Sequence, residues 1–599
     1  MRARFLELLR SASAAVLAVL ALIAPGAAGV GDAAERAQPT SLLGSYLAGR
    51  MARGLNDTTA AATYYGGALQ RDPDNQLLVE NAFLMEASEG NWQRVEPLAR
   101  DLVKAQPAHR TARTFLALAD FKARRYAEAE AHFTEASAHP IGELTGALAR
   151  AWLALAQNNA QEALNLLDTQ KLPDWASYFL RYHRALIADV AGRPADARAA
   201  YERMAKNDQR TLRITLAFSR HAARAGDTKL AQSILNAYFE RAKGEPHPSA
   251  RALLSQIEAG ERPELLVRSP DEGLAEVFFG LGEALSGEGN LGIGVVLLQY
   301  ALYLTPDSLF PLVTLASAQE NSKRYAAANA AYDRIPKGTA LEMIIDIRKA
   351  LNLNQIERVE EAKELLDKLA SRNPADVRPL EALGAMMRGH KRYAEAAQYY
   401  SRAISLIDVP DAKHWTFYYS RGTCYERLKR LPEAEADLQM SLKLSPDQPL
   451  SLNYLGYTWI DHNRNLRQGL AMIEKAVRLK PDDGYIVDSL GWAYYRLGNF
   501  KEALKHLERA VELRPDDPTL NDHLGDVYWR VGRAREARFQ WEQALTLQPE
   551  PAEAEKIRNK VENGLPAGPQ GRQPKRPKQV QKQERAKPRT AKPSTPSLQ

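Results

Sequence analysis

A single cysteine, Cys424, stands among 599 residues. That excludes an intramolecular disulfide and any zinc or iron–sulfur site built from several thiolates. None of the eleven histidines lies in H-E-x-x-H, and none pairs at ligand spacing with a third donor nearby. No G-x-S-x-G, no G-x-x-x-x-G-K-[ST] and no EF-hand loop occurs. No catalytic residues, metal ligands or cofactor are therefore expected. Gly287-Glu288-Gly289-Asn290-Leu291-Gly292 does match G-x-G-x-x-G. A dinucleotide site would need an acid about 20 positions on, and position 312 is Leu312, so the segment reads as a glycine-rich turn. Cys424, inside a predicted helix, reads as a small buried hydrophobe. What remains is ordinary for a folded soluble protein: 45% hydrophobic and 26% charged residues.

A basic body is missing too. The formal charge is +7, but residues 566–599 alone hold nine Lys/Arg against Glu584. With the +2 of residues 1–28 also set aside, the remainder carries −3. A nucleic-acid-binding body needs a basic face to neutralise phosphates, so no nucleic-acid partner is expected. Residues 566–599 also contain seven prolines and almost no apolar side chains. Such a segment buries too little surface to offset its ordering entropy and is expected to be disordered. It is either a solvated end or a weak contact to an anionic envelope surface.

Long apolar runs are also lacking. The one apolar stretch of note is Ala12–Ala24, about 13 residues against the roughly 20 that span a bilayer. It follows the basic Met1–Arg10 and precedes Pro25, Gly26 and small residues through Gly29. This is the order of a secretory signal, residues 1–29. The mature chain is expected to begin near Val30 and to be exported, with an uncleaved inner-membrane anchor as the alternative. No cysteine lies near the cleavage region, so the chain is not expected to be a lipoprotein.

The rest repeats. Leu490-Gly491, Tyr494, Gly498, Ala503, Leu507, Ala510 and Pro515 return 34 residues later as Leu524-Gly525, Tyr528, Gly532, Ala537, Trp541, Ala544 and Pro549. This pattern resembles the tetratricopeptide (TPR) signature W-x₂-L-G-x₂-Y…A-x₃-F…P. The resemblance implies an all-α fold, a right-handed superhelix (α-solenoid) in which each repeat is two antiparallel helices around a tight turn. The small residue of the first helix and the Ala twelve positions on sit where the two helices come closest. Traced backwards, the small position runs Gly525, Gly491, Gly456, Gly422, Gly384, Ala350, Ala316 and Gly282, then Ser219, Ala185, Ala151, Ala117, Phe83 and Gly49. That makes about fourteen repeats. Phe83 and Val95 break the small-residue rule, so the second repeat is either degenerate or has its helices splayed apart.

Between Ser219 and Gly282 the spacing is 63, or 29 beyond one period. Residues 246–274 are therefore an out-of-phase joint, or a decayed repeat, with one helix at Ala250–Ala259. It would separate an N-terminal array of six repeats (42–245) from a C-terminal array of eight (275–551). A capping helix, Ala552–Glu562 within residues 552–564, covers the last repeat.

The resemblance also implies a concave binding groove, lined by first-helix residues three before, one after and four to five after the small residue. In the last four repeats these are Tyr419, Thr423, Glu426 and Arg427; Asn453, Tyr457, Ile460 and Asp461; Asp488, Trp492, Tyr495 and Arg496; and Asp522, Asp526, Trp529 and Arg530. Trp, Tyr and Arg are the types enriched at binding hot spots. The expected function is a non-catalytic scaffold or adaptor that binds protein partners. The run Leu455-Gly456-Tyr457, Asp488-Ser489-Leu490-Gly491-Trp492 and His523-Leu524-Gly525-Asp526 resembles bacterial envelope TPR proteins. Some of these bring substrates to carboxy-terminal processing proteases, which would place the chain in the periplasm. The alternative is an assembly scaffold for envelope polysaccharide or cell-wall machinery.

Overall fold

In every described turn between paired helices, the residue seven after the small position has a positive φ, from Asn56 (59°) to Gly532 (86°). The next amide then bonds back into the first helix, as Arg392 N does to Met387 O and Arg430 N to Tyr425 O. This closes the helix end and starts the second helix two residues on. Where that next residue is arginine it cannot cap with a side-chain oxygen. In four repeats it instead pairs with a glutamate in the first turn of the second helix: Arg358–Glu361, Arg392–Glu395, Arg430–Glu433 and Arg533–Glu536. These turns set the 34-residue unit. The computed structural model describes residues 41–137, 139–206, 211–242, 246–287 and 291–566. Among them are α-helices and two short 3-10 helices, and no strand.

Helix pairs run from Leu42–Gly54 with Thr58–Leu69 to Pro518–Arg530 with Ala534–Thr546, one for each traced small residue. The unpaired helix lies at Pro248–Glu258 and the capping helix at Pro551–Asn563. Ala117, Ala151 and Ala185 are fully buried, as are Ala129, Ala163 and Ala197 opposite them. Phe83 and Val95 are fully buried as well, so this repeat accommodates large residues in its seam without losing either helix. Cys424 is buried, and burial pushes its thiol up to about 11, as its reading as a small hydrophobe required. The expected signal (1–29), residues 567–599 of the tail and Glu288–Asn290 of the glycine-rich turn lie outside the described residues. No helix among the described residues is long and apolar enough to cross a membrane.

The chain divides into two compact units between Ile345 and Asp346. The joint expected at 246–274 is thus internal to the first unit, together with the two repeats that follow it. The reason is packing. Pro270–Gly287 and Leu291–Leu304 fold back onto the inner-face helices of the earlier repeats. Tyr300 is fully buried and donates to Thr111 O at 3.1 Å, and Gln299 Nε2 donates to Ser88 O at 2.9 Å. Trp92 stacks on Phe115, with Tyr303 edge-on to Trp92 at 5.0 Å. Lys122 Nζ donates to Tyr303 O at 2.8 Å. Glu276, 7% exposed, accepts from Tyr182 Oη at 2.9 Å and pairs with Arg213. Arg124 and Asp271 pair at 3.0 Å. The hollow of the N-terminal repeats is filled by the chain itself. The 29-residue phase break lets the chain turn back to do so.

Candidate protein-binding face

In the second unit the inner face is built by the first helices Trp415–Arg427, Pro449–Asp461, Gly484–Arg496 and Pro518–Arg530. Their starts are fixed locally. Asp483 accepts from Tyr485 N and Ile486 N, and Asp517 from Thr519 N and Leu520 N. Pro449 and Pro518 open their helices with a preset φ. Leu455, Leu490 and Leu524 turn into the core beside the small residues. Positions three before and one, four and five after the small residue then share a face by helical spacing.

The structure links these faces from one repeat to the next. Tyr419 meets Tyr454 edge-on at 6.0 Å, and Tyr454 Oη donates to Glu426 at 3.0 Å. Exposed Arg427 lies 3.7 Å from Glu426. Asn453 Nδ2 donates to Ser489 Oγ at 3.2 Å, while its buried Oδ1 accepts from nothing among the described residues. Asp461 accepts from Arg496 Nη1 at 2.6 Å. Trp492 is stacked between Tyr495 and His523, with centroids at 4.7 and 4.0 Å. His523 Nδ1 lies 3.0 Å from both carboxylate oxygens of Asp488. Tyr495 Oη accepts from Arg530 Nε at 3.2 Å. Tyr457 is half-buried. Burial, then Asp461 and Asp488, push its hydroxyl up to about 12, so it is a neutral donor at any ordinary pH.

Not every expected groove residue lies open. Thr423 and Ile460 are buried, and Ile460 belongs to the core with Ile473 and Leu490. Asp488 and Asp526 are buried as well, each satisfied by a neighbour rather than waiting for a ligand. At the last repeat the capping helix takes the groove positions. Lys560 Nζ donates to Asp522 at 2.8 Å and to Asp526 at 3.0 Å, and Trp541 Nε1 donates to Asp526 at 3.0 Å. Burial works against the Lys560 charge, but the two carboxylates outweigh it and hold the ammonium above its ordinary pKa. Trp529 packs against Trp541 and against Gly564, where a Cβ would collide with the indole. Asp522, Asp526 and Trp529 therefore fasten the end of the array. The open strip runs through Tyr419, Arg427, Asn453, Tyr457, Asp461, Trp492, Tyr495, Arg496 and Arg530.

His523, Lys560 and Tyr454 take part in this face and are not among the groove residues expected from the sequence. A signal existed for the first two. Complementary types recur one repeat apart: Asp461 and Arg496, Asp488 and His523, and Tyr495 and Arg530 all stand 35 apart, and Asp526 and Lys560 stand 34 apart. Tyr454 lies outside the positions carried over from the family pattern.

Models for the repeat match in both units: one described as "TPR repeat" at residues 491–532, and one described as "Tetratricopeptide repeat" at 86–140, 347–412 and 405–449. A TPR repeat-containing protein of Pseudomonas aeruginosa is 31% identical over 193 residues, 32% of this chain and 31% of its own length. The match therefore spans about a third of that relative. Among solved structures, the APC/C hetero-tetramer Cut9–Hcn1 aligns over 88% of this chain and 97% of its own, at 15% identity and a TM-score of 0.36. Yeast Tom70 aligns over 87% and 95%, at 14% identity and a TM-score of 0.34. YrrB, a TPR protein with an unusual peptide-binding site, aligns over 32% and 97%, at 20% identity and a TM-score of 0.25.

Proposed function

We propose that this chain, which carries tetratricopeptide repeats in both units, is an exported, non-catalytic adaptor or scaffold. It holds an extended or helical segment of a partner protein on the inner face of its second unit. The observation that carries this reading is the strip from Tyr419 to Arg530, where aromatic rings and charges are cross-linked between repeats. A face held in this way is pre-formed, and pre-formed sites lose less entropy on binding. Aromatic rings supply contact area, while the charges set register and partner choice. The same face in the first unit is filled by the helices Pro270–Gly287 and Leu291–Leu304. The finer role we propose is delivery of substrates to a carboxy-terminal processing protease of the envelope.

The test is capture of partners from an envelope fraction by the full chain and by Trp492→Ala with Arg496→Ala. Each true hot spot costs about 2 kcal/mol or more, so the double variant should lose most of its catch while keeping its helical content. Equal capture at equal affinity sinks the reading. The adaptor role requires a protease among the captured proteins. Export requires an N-terminus near Val30 on sequencing of the mature chain.

A further inference from the structure

We propose that the chain pairs with a second copy of itself through its first helix, Leu42–Gly54, whose outer side carries an apolar ridge shaped to pack on the same ridge of the second copy. The inference is independent of the inner face of the second unit.

The ridge is the first observation. Leu43, Leu47, Met51 and Leu55 are 65, 50, 69 and 68% exposed, and Leu42 stands beside them. These are five of the fifteen large apolar side chains exposed among the described residues. The opposite side of the helix is spent on its own repeat: Ser45, Gly49 and Ala52 are buried, and a Cβ on Gly49 would lie 3.1 Å from the Tyr65 ring. The far end of the array is finished differently. There the capping helix Pro551–Asn563 turns Glu553, Glu555, Lys556, Arg558 and Glu562 to water and exposes no large apolar side chain. A solenoid needs a polar outer face at its ends. The first helix lacks one, so this end is built to be covered.

The spacing shows what fits on it. Residues 43, 47, 51 and 55 stand four apart and form one ridge along the helix. The next row holds Gly44 and Ala48, small and half-buried, so a groove runs beside the ridge. Ridges of this row on two helices interdigitate at about −50°. Ridge and groove lie side by side on one helix, so the helix is complementary to its own copy, and a two-fold axis seats both ridges at once. No charge interrupts the ridge. The charged side chains of Leu42–Gly54 are Arg50 and Arg53, and Arg53 reaches back to Asn81 Oδ1 at 2.8 Å.

Area sets the strength of the contact. At about 100 Å² for a buried Leu or Met side chain, the five leave about 300 Å² of apolar surface in water. Two copies cover about 600 Å² from these side chains alone. The groove residues and the Arg50 stem bring the pair toward the ~1,000 Å² of a specific interface. The association is therefore reversible, not permanent. The stretch that leads into the helix supplies no substitute: residues 31–40 hold no large apolar side chain to lay on the ridge.

The experiment is sedimentation velocity of the purified chain across a wide range of concentration. The mass should rise from one chain toward two and stop there, because a two-fold contact closes on itself. Leu47→Glu with Met51→Glu should weaken the association about tenfold or more, the effect of losing a contact worth ~1.4 kcal/mol. Helical content should stay, since both side chains are exposed and glutamate is a good helix former. Oxidation of Leu47→Cys should link two chains. Phe539→Cys, also exposed but on the helix Ala534–Thr546, should not, and the native Cys424 is buried and cannot compete. A mass of one chain at every concentration overturns the proposal, as does growth beyond two. So does an association that the two glutamates leave unchanged, or that Phe539→Cys captures as well as Leu47→Cys. Single chains whose amides over 42–54 are protected by residues 1–29, or by phosphatidylglycerol vesicles, would assign the ridge to those occupants and overturn it as well.

Discussion

Gly456 and Gly469 face each other across one helix pair so closely that backbone meets backbone. A Cβ on Gly456 would lie 2.7 Å from Gly469 O, and a Cβ on Gly469 would lie 2.9 Å from Gly456 O. Neither obstacle is a flexible side chain that could swing aside. Gly456→Ala should therefore destabilise the second unit, within the ~1–3 kcal/mol that overpacking costs. Gly491→Leu should cost more, since a Cβ there already sits 2.6 Å from Leu507 Cγ. Coupling to neighbours should carry part of the damage into flanking repeats. Urea titrations of the two variants check both. Unchanged midpoints would mean that the seam is misplaced.

The repeat seams were legible because sequence alone records closeness: only small residues fit where helices touch, and Gly422, Gly456, Gly491 and Gly525 mark four such crossings. The refolding of residues 270–304 into the first unit was not read, although a trace of it exists. Leu291–Leu304 carries one strongly polar side chain, Gln299, among apolar residues and two tyrosines, and a helix apolar on nearly every side is buried over most of its surface. The periodic small residues Gly282 and Gly294 hid this by keeping the phase of an ordinary repeat. At the binding face, family positions located Trp492, Tyr495 and Arg496. They could not tell that Asp526 would be claimed by Lys560, because the repeat pattern ends at Pro549, before the capping helix.

The pair Glu276–Arg213 holds the returning helices in place, and both side chains are largely buried. Removing one partner of such a pair strands the other charge, at a cost of about 3–5 kcal/mol. Glu276→Gln should lower the stability of the first unit by an amount at or below that range, since the amide can still accept from Tyr182. The second unit should unfold as before. Hydrogen exchange read separately over 270–304 and 449–530 distinguishes the two.

Two histidines should give the units opposite responses to pH. His183 is buried and its Nδ1 accepts from Trp152 Nε1 at 3.0 Å. Burial lowers its pKa to about 3, so it stays neutral in the fold. Unfolded, it takes a proton below about 6.5, and the first unit should lose ~1.4 kcal/mol per pH unit as pH falls from there toward 3. For His523, burial opposes the charge, but Asp488, Asp522 and Asp526 outweigh it and raise the pKa. Its contribution to the second unit is fully present below about 6.5 and should fade as pH rises through the raised value. His183→Gln and His523→Gln should each flatten only the response of its own unit. Urea midpoints followed from pH 4 to 9 by exchange within each unit would show it. A parallel response of both units to either substitution contradicts the assignment.

The left-handed turn residue offers a last, sign-reversing test. Lys391 and Lys429 hold φ of 59° and 62° at the turn position where Gly498 holds 79° and Gly532 86°. A side chain in that region costs roughly 1–2 kcal/mol, which glycine avoids. Glycine also loses more conformational freedom on folding, which returns part of the gain. Lys429→Gly should therefore stabilise the second unit by several tenths to about 1 kcal/mol. Its side chain is 78% exposed and lies only 3.9 Å from Glu426, so little contact is lost with it. Gly498→Ala should act in the opposite direction by a similar amount, although a Cβ there would meet nothing within 4 Å. Space is thus not the variable; backbone conformation is. Paired urea titrations with opposite shifts would establish that the turn itself, and not packing around it, limits the stability of the repeat. Two shifts of the same sign would remove that explanation.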